Sequence, residues 1–116
     1  MTIVAQRKRT KGWRKPPDSV CVTRPGPWSN PFKIGAELVA EDDEYGLVIW
    51  NVDTHEDAIG LFVRWVNEVT SFANETDDRR DYILDHVREL QGKTLLCWCP
   101  QPGPCHAHVL AAMADA

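Results

Sequence analysis

The segment over residues 97–108 concentrates the side chains that can do chemistry. It reads CWCPQPGPCHAH and holds three thiols and two imidazoles, at Cys97, Cys99, Cys105, His106 and His108. Cys97 and Cys99 lie at the end of a predicted strand, a proline-rich loop is predicted after Cys99, and Cys105 opens a predicted helix. Ligands and reactive groups of open α/β sheets gather where strands end and helices begin. The spacing therefore predicts one site built from this segment.

Three roles suit these side chains. The first is zinc binding by Cys97, Cys99, Cys105 and either His106 or His108, because zinc takes four tetrahedral thiolate or imidazole ligands. The C-x-C and C-H spacings differ from the usual zinc-site spacings. The second is catalysis by Cys105, whose thiolate a helix N-terminus favours, with His106 or His108 as base or acid. The third is structural, since free cysteines often pack in cores.

Residues 24–33, RPGPWSNPFK, form a second candidate segment. Arg24 could hold a phosphate or carboxylate through two parallel hydrogen bonds. Trp28 could stack on a base or sugar, and Asn30 could bond a base edge. Alternatively, Asn30 caps the loop backbone, and Trp28 and Phe32 belong to the core. We expect the core role for both aromatic residues, while Arg24 and Asn30 stay open to both interpretations.

Hydrophobic patterns predict the elements that position these segments. Strands are predicted at residues 20–23, 45–52 and 94–98. Helices are predicted at residues 55–73, from 77 or 78 to about 91, and at 105–114, the first capped by Thr54. Residues 40–44 are typical of a solvated acidic turn. This order predicts an α/β or α+β fold, with a single small layer of about three to four strands packed with three helices.

Length and composition limit the class of protein. The chain has 116 residues, of which 43% are hydrophobic and 26% charged, which suits one globular domain rather than a disordered or coiled-coil chain. It contains no apolar run of roughly 20 residues that could span a membrane, and the N-terminus lacks a secretory apolar core. We therefore expect a cytoplasmic protein with reduced thiols and no membrane partner.

Charge is distributed unevenly along the chain. Residues 1–33 carry eight basic side chains and one acidic, whereas residues 34–116 carry five basic and sixteen acidic. The stretch RKRTKGWRK, with Trp13 among its charges, suits contact with a nucleic-acid backbone. It also suits packing on the acidic remainder, which argues against a broad nucleic-acid surface. We predict a basic N-terminal arm over residues 1–11, irregular because it shows no apolar periodicity, and a single globular domain over residues 12–116.

The two candidate segments together resemble a known family. R-P-x-x-W-x-N-P-F near the start and C-W-C-x(5)-C-H near the end are similar to the motifs of an uncharacterised family of small phage and bacterial domains of unknown function. The resemblance covers residues 12–114 and implies a phage origin, hence the host cytoplasm. It also implies that one site joins residues of both motifs, namely Arg24, Asn30, Pro31, Phe32, Cys97, Trp98, Cys99, Cys105 and His106. Family members often carry an acid where His108 stands, which favours His106 as the functional histidine.

Three functional hypotheses follow. In the first, Arg24, Trp28 and Asn30 meet the Cys/His segment and bind an anionic small molecule such as a nucleotide, on which Cys105 and His106 could act. In the second, zinc staples an interaction module that binds a protein partner. In the third, which is not favoured, the basic arm binds nucleic acid. No paired carboxylates or phosphate-loop glycines indicate a reaction class, so enzymatic activity and oligomeric state stay open.

Overall fold

A computed structural model of the chain describes residues 1–24, 26–72, 77–99, 103 and 105–116. Its strands are β1 (Ile3–Gln6), β2 (Ser19–Cys21), β3 (Glu37–Asp42), β4 (Gly46–Asn51), β5 (Thr70–Phe72) and β6 (Thr94–Cys97). Its helices are α1 (His55–Val66), α2 (Asp77–His86) and α3 (His106–Asp115), with a 3₁₀ turn at Val87–Leu90. The expected mixed α/β class is confirmed, but the strands form two three-stranded sheets rather than one layer. No helix within the described residues is long and apolar enough to cross a membrane.

The chain divides into two compact units. Unit 1 comprises Met1–Ser29 and Asp85–Ala116, and unit 2 comprises Asn30–Leu84. The uneven charge follows this division. Unit 1 has nine basic and four acidic side chains, a net charge of +5, whereas unit 2 has four basic and thirteen acidic, a net charge of −9. The acidic remainder of the sequence therefore belongs mainly to unit 2. The boundary between an arm and a single domain stays a prediction.

Unit 1 is built on a parallel sheet in the order β1-β6-β2. Its central strand β6 has Leu95 and Leu96 fully buried, as expected of a parallel strand covered on both faces. Helix α3 packs against β1 and β6. At the end of α3, Asp115 accepts hydrogen bonds from the backbone N–H and hydroxyl of Thr2, at 2.9 and 2.7 Å. These bonds join the two ends of the chain.

Strand β1 lies where the sequence predicts an irregular basic segment. Its register runs from Ile3 beside Thr94 to Gln6 beside Cys97. The four residues of β1 are followed by a basic run, so their pattern is too short to indicate a strand from the local sequence alone. The strand forms because β6, about 90 residues later, offers its backbone hydrogen-bonding edge. The expectation of irregular structure is therefore wrong for Ile3–Gln6.

Unit 2 contains an antiparallel sheet in the order β4-β3-β5 and helix α1. Thr54 caps α1 and forms a capping box with Asp57, which confirms the predicted helix start. Trp65 of α1 is fully buried and meets the edge of Phe32 at a centroid distance of 5.8 Å. Phe72 of β5 packs on the same Phe32 at 4.6 Å. The core role expected for Phe32 is thus confirmed.

Helix α1 is shorter than its apolar pattern predicts. It ends at Val66 rather than near residue 73, and Glu68 adopts a φ of 60° that is incompatible with a continuing helix. The chain then turns, and Thr70–Phe72 pairs antiparallel with β3 as β5. Val69 continues the helical spacing of apolar residues, but pairing with a distant strand decides the conformation here.

The acidic turn predicted at residues 40–44 begins as a strand. Residues of β3 alternate between exposed and buried, and the side chain of Asp42 is fully buried. Arg64 Nη2 donates to both carboxylate oxygens of Asp42, at 2.8 and 2.9 Å, and the Thr70 hydroxyl donates as well. Burial opposes ionisation of Asp42, but these hydrogen bonds outweigh it and hold the pKa of Asp42 well below its usual range. The prediction of a solvated Asp42 is therefore wrong.

Asp42→Asn tests whether this carboxylate stabilises the fold. Because the pKa of Asp42 is lower in the folded than in the unfolded state, ionised Asp42 stabilises the protein fully above the unfolded pKa of about 3.9. That contribution declines as pH falls from there through the lower folded-state pKa. We expect urea denaturation to give the wild type the higher free energy of unfolding at neutral pH, with the difference narrowing below about pH 4. The exposed Asp43→Asn is the control, and a difference that stays constant with pH would contradict the assignment.

Candidate metal centre at the carboxyl edge of the parallel sheet

The parallel sheet of unit 1 brings three chain segments to one edge. Cys97 ends β6, and its carbonyl accepts a 2.6 Å hydrogen bond from the backbone N–H of Arg7, which follows β1. Val22 follows β2 and donates to the carbonyl of Leu96 at 3.0 Å. Because the three strands are parallel, their carboxyl ends share this edge, where α/β sheets commonly bind ligands.

Three of the predicted site cysteines meet at this edge. The Sγ atoms of Cys97, Cys99 and Cys105 lie within 4.8 Å of one another. Cys97 and Cys105 are buried and Cys99 is half-buried. All three are free thiols, as is Cys21, which lies on β2 outside this cluster. The arrangement could hold a metal ion. We call these three residues the cysteine cluster.

Burial and the neighbouring Cys97 thiol disfavour ionisation of Cys99 and Cys105. Hydrogen bonding with the Cys97 thiol, together with burial, raises the pKa of Cys105. Burial is the main cause of the raised pKa of Cys99, and the nearby Cys97 adds to it. Cys99 and Cys105 are therefore neutral at physiological pH in the metal-free protein. A divalent cation favours the deprotonated forms, because metal ligation requires thiolate and supplies the opposite charge.

His106 is held in one orientation by the backbone. Its Nε2 lies 2.9 Å from the carbonyl oxygen of Val22 and 3.1 Å from that of Trp28. Carbonyl oxygens only accept hydrogen bonds, so Nε2 carries the proton. In the neutral ring, Nδ1 then presents its lone pair, and this atom lies 3.9 Å from Cys105 Sγ. A ring whose other nitrogen donates to a backbone carbonyl is typical of metal-bound histidine.

The same geometry bears on the catalytic-thiol hypothesis. Cys105 is the N-cap of α3, close to where the sequence predicts the helix to start. A helix N-terminus favours thiolate, but the neighbouring thiol and burial act in the opposite direction, and the net effect is a raised pKa. A nucleophilic cysteine needs the thiolate form. The catalytic roles of Cys105 and His106 stay predictions, and the raised pKa of Cys105 does not favour them.

The second candidate segment, residues 24–33, contains buried residues with structural hydrogen bonds and one exposed arginine. Trp28 is buried in unit 1, and its carbonyl is one of the acceptors for His106. In unit 2, Asn30 is buried, accepts from the N–H of Phe32 at 2.9 Å and donates to the carbonyl of Ala58 at 3.0 Å. Arg24 is exposed in the turn after β2. The ligand contacts predicted for Trp28 and Asn30 thus compete with structural roles, and a joint site with Asn30 stays a prediction.

Two further expectations concern the chain around the cysteine cluster. His108 is exposed on α3, two residues after His106. The proline-rich loop predicted between Cys99 and Cys105 lies mostly outside the described residues, which here include only Gly103. His106, in contrast to His108, is buried, and its Nδ1 lies 3.9 Å from Cys105 Sγ.

Two arginines that the sequence motifs do not indicate also lie at this edge. The Cζ atoms of Arg7 and Arg9 lie 4.3 and 4.4 Å from the ring centroid of Trp98. Both arginines belong to the basic stretch RKRTKGWRK, whose composition suits contact with a nucleic-acid backbone. Only the register of β1 against β6 brings this run beside Trp98, so composition alone could not identify the contact.

A protein-family model described as a domain of unknown function, DUF4326, matches residues 5–116. The chain belongs to this family. The DUF4326 match includes both units, the cysteine cluster and His106. It confirms the resemblance to a family of unknown function stated from the sequence motifs. Neither a curated protein nor a solved structure matches the chain.

His106→Ala tests the structural part of this arrangement. It removes the ring N–H that donates to the carbonyls of Val22 and Trp28, and loss of such a buried bond costs about 1–3 kcal/mol. We expect that loss in the free energy of unfolding, measured by urea denaturation with a chelator present so that metal does not contribute. The exposed His108→Ala, on the same helix, should change stability by less than about 0.5 kcal/mol. Equal effects of the two substitutions would contradict the assignment.

Proposed function

We propose that this DUF4326 protein is a zinc-binding module whose metal is held by Cys97, Cys99 and Cys105. The observation that carries the proposal is the approach of their three Sγ atoms to within 4.8 Å. Zinc–thiolate bonds of about 2.3 Å in tetrahedral geometry place two sulfur ligands about 3.8 Å apart. A contraction of about 1 Å or less would therefore bring the cysteine cluster to ligand distances.

His106 is the proposed fourth ligand, through Nδ1. A sulfur and an imidazole nitrogen on one tetrahedral zinc ion lie about 3.6 Å apart. The distance from Nδ1 to Cys105 Sγ is 3.9 Å, close to that value. The hydrogen bonds of Nε2 to two carbonyls support this orientation, since they leave Nδ1 as the coordinating atom.

A zinc ion at this position would act as a staple. It would link the end of β6 to the start of α3, and His106 would tie both to the turn after β2. Structural zinc with a complete protein ligand set stabilises small domains in this way. The proposed role is that of a zinc-stapled interaction module with a protein partner.

The metal content of the purified protein tests this proposal. We expect about one equivalent of zinc by elemental analysis after expression and purification without added zinc, because four-ligand thiolate sites bind zinc tightly. Cys97→Ser, Cys99→Ser and Cys105→Ser should each fall below about half an equivalent. Cys21→Ser is the matched control and should keep the full content.

Cobalt substitution separates ligand loss from unfolding. Thiolate-bound Co²⁺ gives charge-transfer absorption, which we expect in the wild type and in Cys21→Ser but weakened in each cluster variant. Circular dichroism identifies any variant that loses its fold. Less than half an equivalent of metal in folded wild-type protein, with no cobalt–thiolate band, would overturn the proposal.

A second candidate function is binding of a phosphate-bearing small ligand, such as a nucleotide, at the same edge. It is supported by the position of Arg24, which is exposed in the turn after β2, three residues beyond the carboxyl end of that parallel strand. A guanidinium there can bind phosphate through paired hydrogen bonds. Trp28, which is buried, would hold the arginine's loop in place.

Arg24→Gln tests this second candidate. We expect a nucleoside monophosphate to bind the wild type in calorimetric titration, and the variant to bind about tenfold or more weakly, since a hydrogen bond to a charged group contributes about 1.5–3 kcal/mol. The unphosphorylated nucleoside should bind neither protein. Arg14→Gln, an equal charge change at an exposed residue of unit 1, serves as control. Equal loss in both variants would contradict a specific role for Arg24.

A further inference from the structure

Arg7 and Arg9, which lie outside the site that the sequence motifs imply, form a paired cationic site with Trp98. The backbone N–H of Arg7 donates to Cys97, and the side-chain amide of Gln6 donates to the carbonyl of Trp98 at 3.3 Å. These bonds hold the start of the basic run beside the residue that follows β6. The arginine positions thus follow from the sheet register rather than from a free arm.

Both guanidinium groups are held against the same ring. Their Cζ atoms lie 4.3 and 4.4 Å from the Trp98 centroid, so they are at most about 8.7 Å apart. Nη1 of Arg7 also donates to the hydroxyl of Thr23 at 2.7 Å, which orients this guanidinium further. Contact with a ring face leaves N–H groups at the guanidinium edge available to an acceptor.

The charge of the arginine pair is not balanced by a carboxylate in an ion pair among the described residues. Within the part of the chain that the structure describes, neither Arg7 nor Arg9 forms an ion pair. Two of the four carboxylates of unit 1 are engaged elsewhere, Asp115 with Thr2 and Glu89 with His86. Two neighbouring cations without an anion repel each other, and the net charge of +5 on unit 1 adds to the attraction for an anion.

We propose that Arg7, Arg9 and Trp98 form a phosphate-binding site at the carboxyl edge of the parallel sheet. A phosphate group has several oxygens and can accept from two guanidiniums at once, which relieves their repulsion. The phosphate can be carried by a nucleotide or by single-stranded nucleic acid, and both present the same chemistry to the pair. This site rests on the second candidate function, because it names further residues that would bind the phosphate of the ligand. It does not depend on the metal.

The test uses the full-length protein as purified, with its metal content measured in every variant. Pyrophosphate, a nucleoside monophosphate and a short oligothymidylate are titrated at low ionic strength into wild type, R7Q/R9Q and the matched control K11Q/R14Q. We expect the R7Q/R9Q protein to lose at least about tenfold in affinity for a phosphate ligand. The control, with the same charge change at exposed residues, should lose less than about threefold.

The probes distinguish the two sources of phosphate. If a strand is the ligand, oligothymidylate binds more tightly than the mononucleotide. The slope of log affinity against log salt then becomes shallower by about 0.7 in R7Q/R9Q, for the one phosphate that the arginine pair neutralises. If a nucleotide is the ligand, the two probes bind equally and both lose affinity in R7Q/R9Q.

Two outcomes would overturn the site. One is that wild-type protein binds none of the three phosphate probes, and the other is that R7Q/R9Q and K11Q/R14Q lose affinity equally. Either result would leave the zinc proposal intact if the metal content stays at one equivalent. Loss of metal in the cysteine variants with unchanged phosphate binding would leave the Arg7/Arg9 site intact. Thermal denaturation of R7Q/R9Q checks that the bond to Thr23 is not needed for folding.

Discussion

Parallel pairing of β6 with β1 on one side and β2 on the other determines where the chemistry of unit 1 lies. A parallel ladder defines which residues are neighbours, and all three strands end at the same edge. Cys97 therefore lies beside Arg7, and the turn after β2 lies within reach of His106. A shift of register by one residue would turn each side chain of the strand to the opposite face. The same shift would separate Cys97 from Arg7 and the turn after β2 from His106.

The two units balance ionisable groups in their interiors by different means. In unit 2, Asp42 stays ionised although it is buried, because Arg64 and Thr70 donate to its carboxylate. In unit 1, the thiols crowd one another, and the raised pKa values of Cys99 and Cys105 keep them neutral. A charged group persists in an interior only with an opposite charge or hydrogen-bond donors in contact. The zinc proposal extends this principle, since a cation would give the cysteine cluster the compensation that Arg64 gives Asp42.

Local patterns predicted those elements whose boundaries carry local signals. The apolar runs at residues 45–52 and 94–98 correspond to β4 and β6, and Thr54 caps α1 as its sequence indicates. Gly92, at a φ of 80°, lies just beyond the 3₁₀ turn that follows α2, where a glycine commonly ends a helix. The predicted β2 is displaced by one or two residues. Strands β1, β3 and β5 were missed because each is short or interrupted by charge and depends on a partner distant in sequence.

The sequence by itself determined which side chains could bind a metal, the strand and helix that present them, and the mixed α/β class. Those features depend on residue type and short-range periodicity, which are written along the chain. Only the tertiary structure decided that Nε2 of His106 carries the proton, because two carbonyls from another segment surround it. It likewise decided that Trp28 is buried and that Arg7 meets Trp98. These outcomes depend on strand register and burial, which arise only when segments distant in sequence pack together.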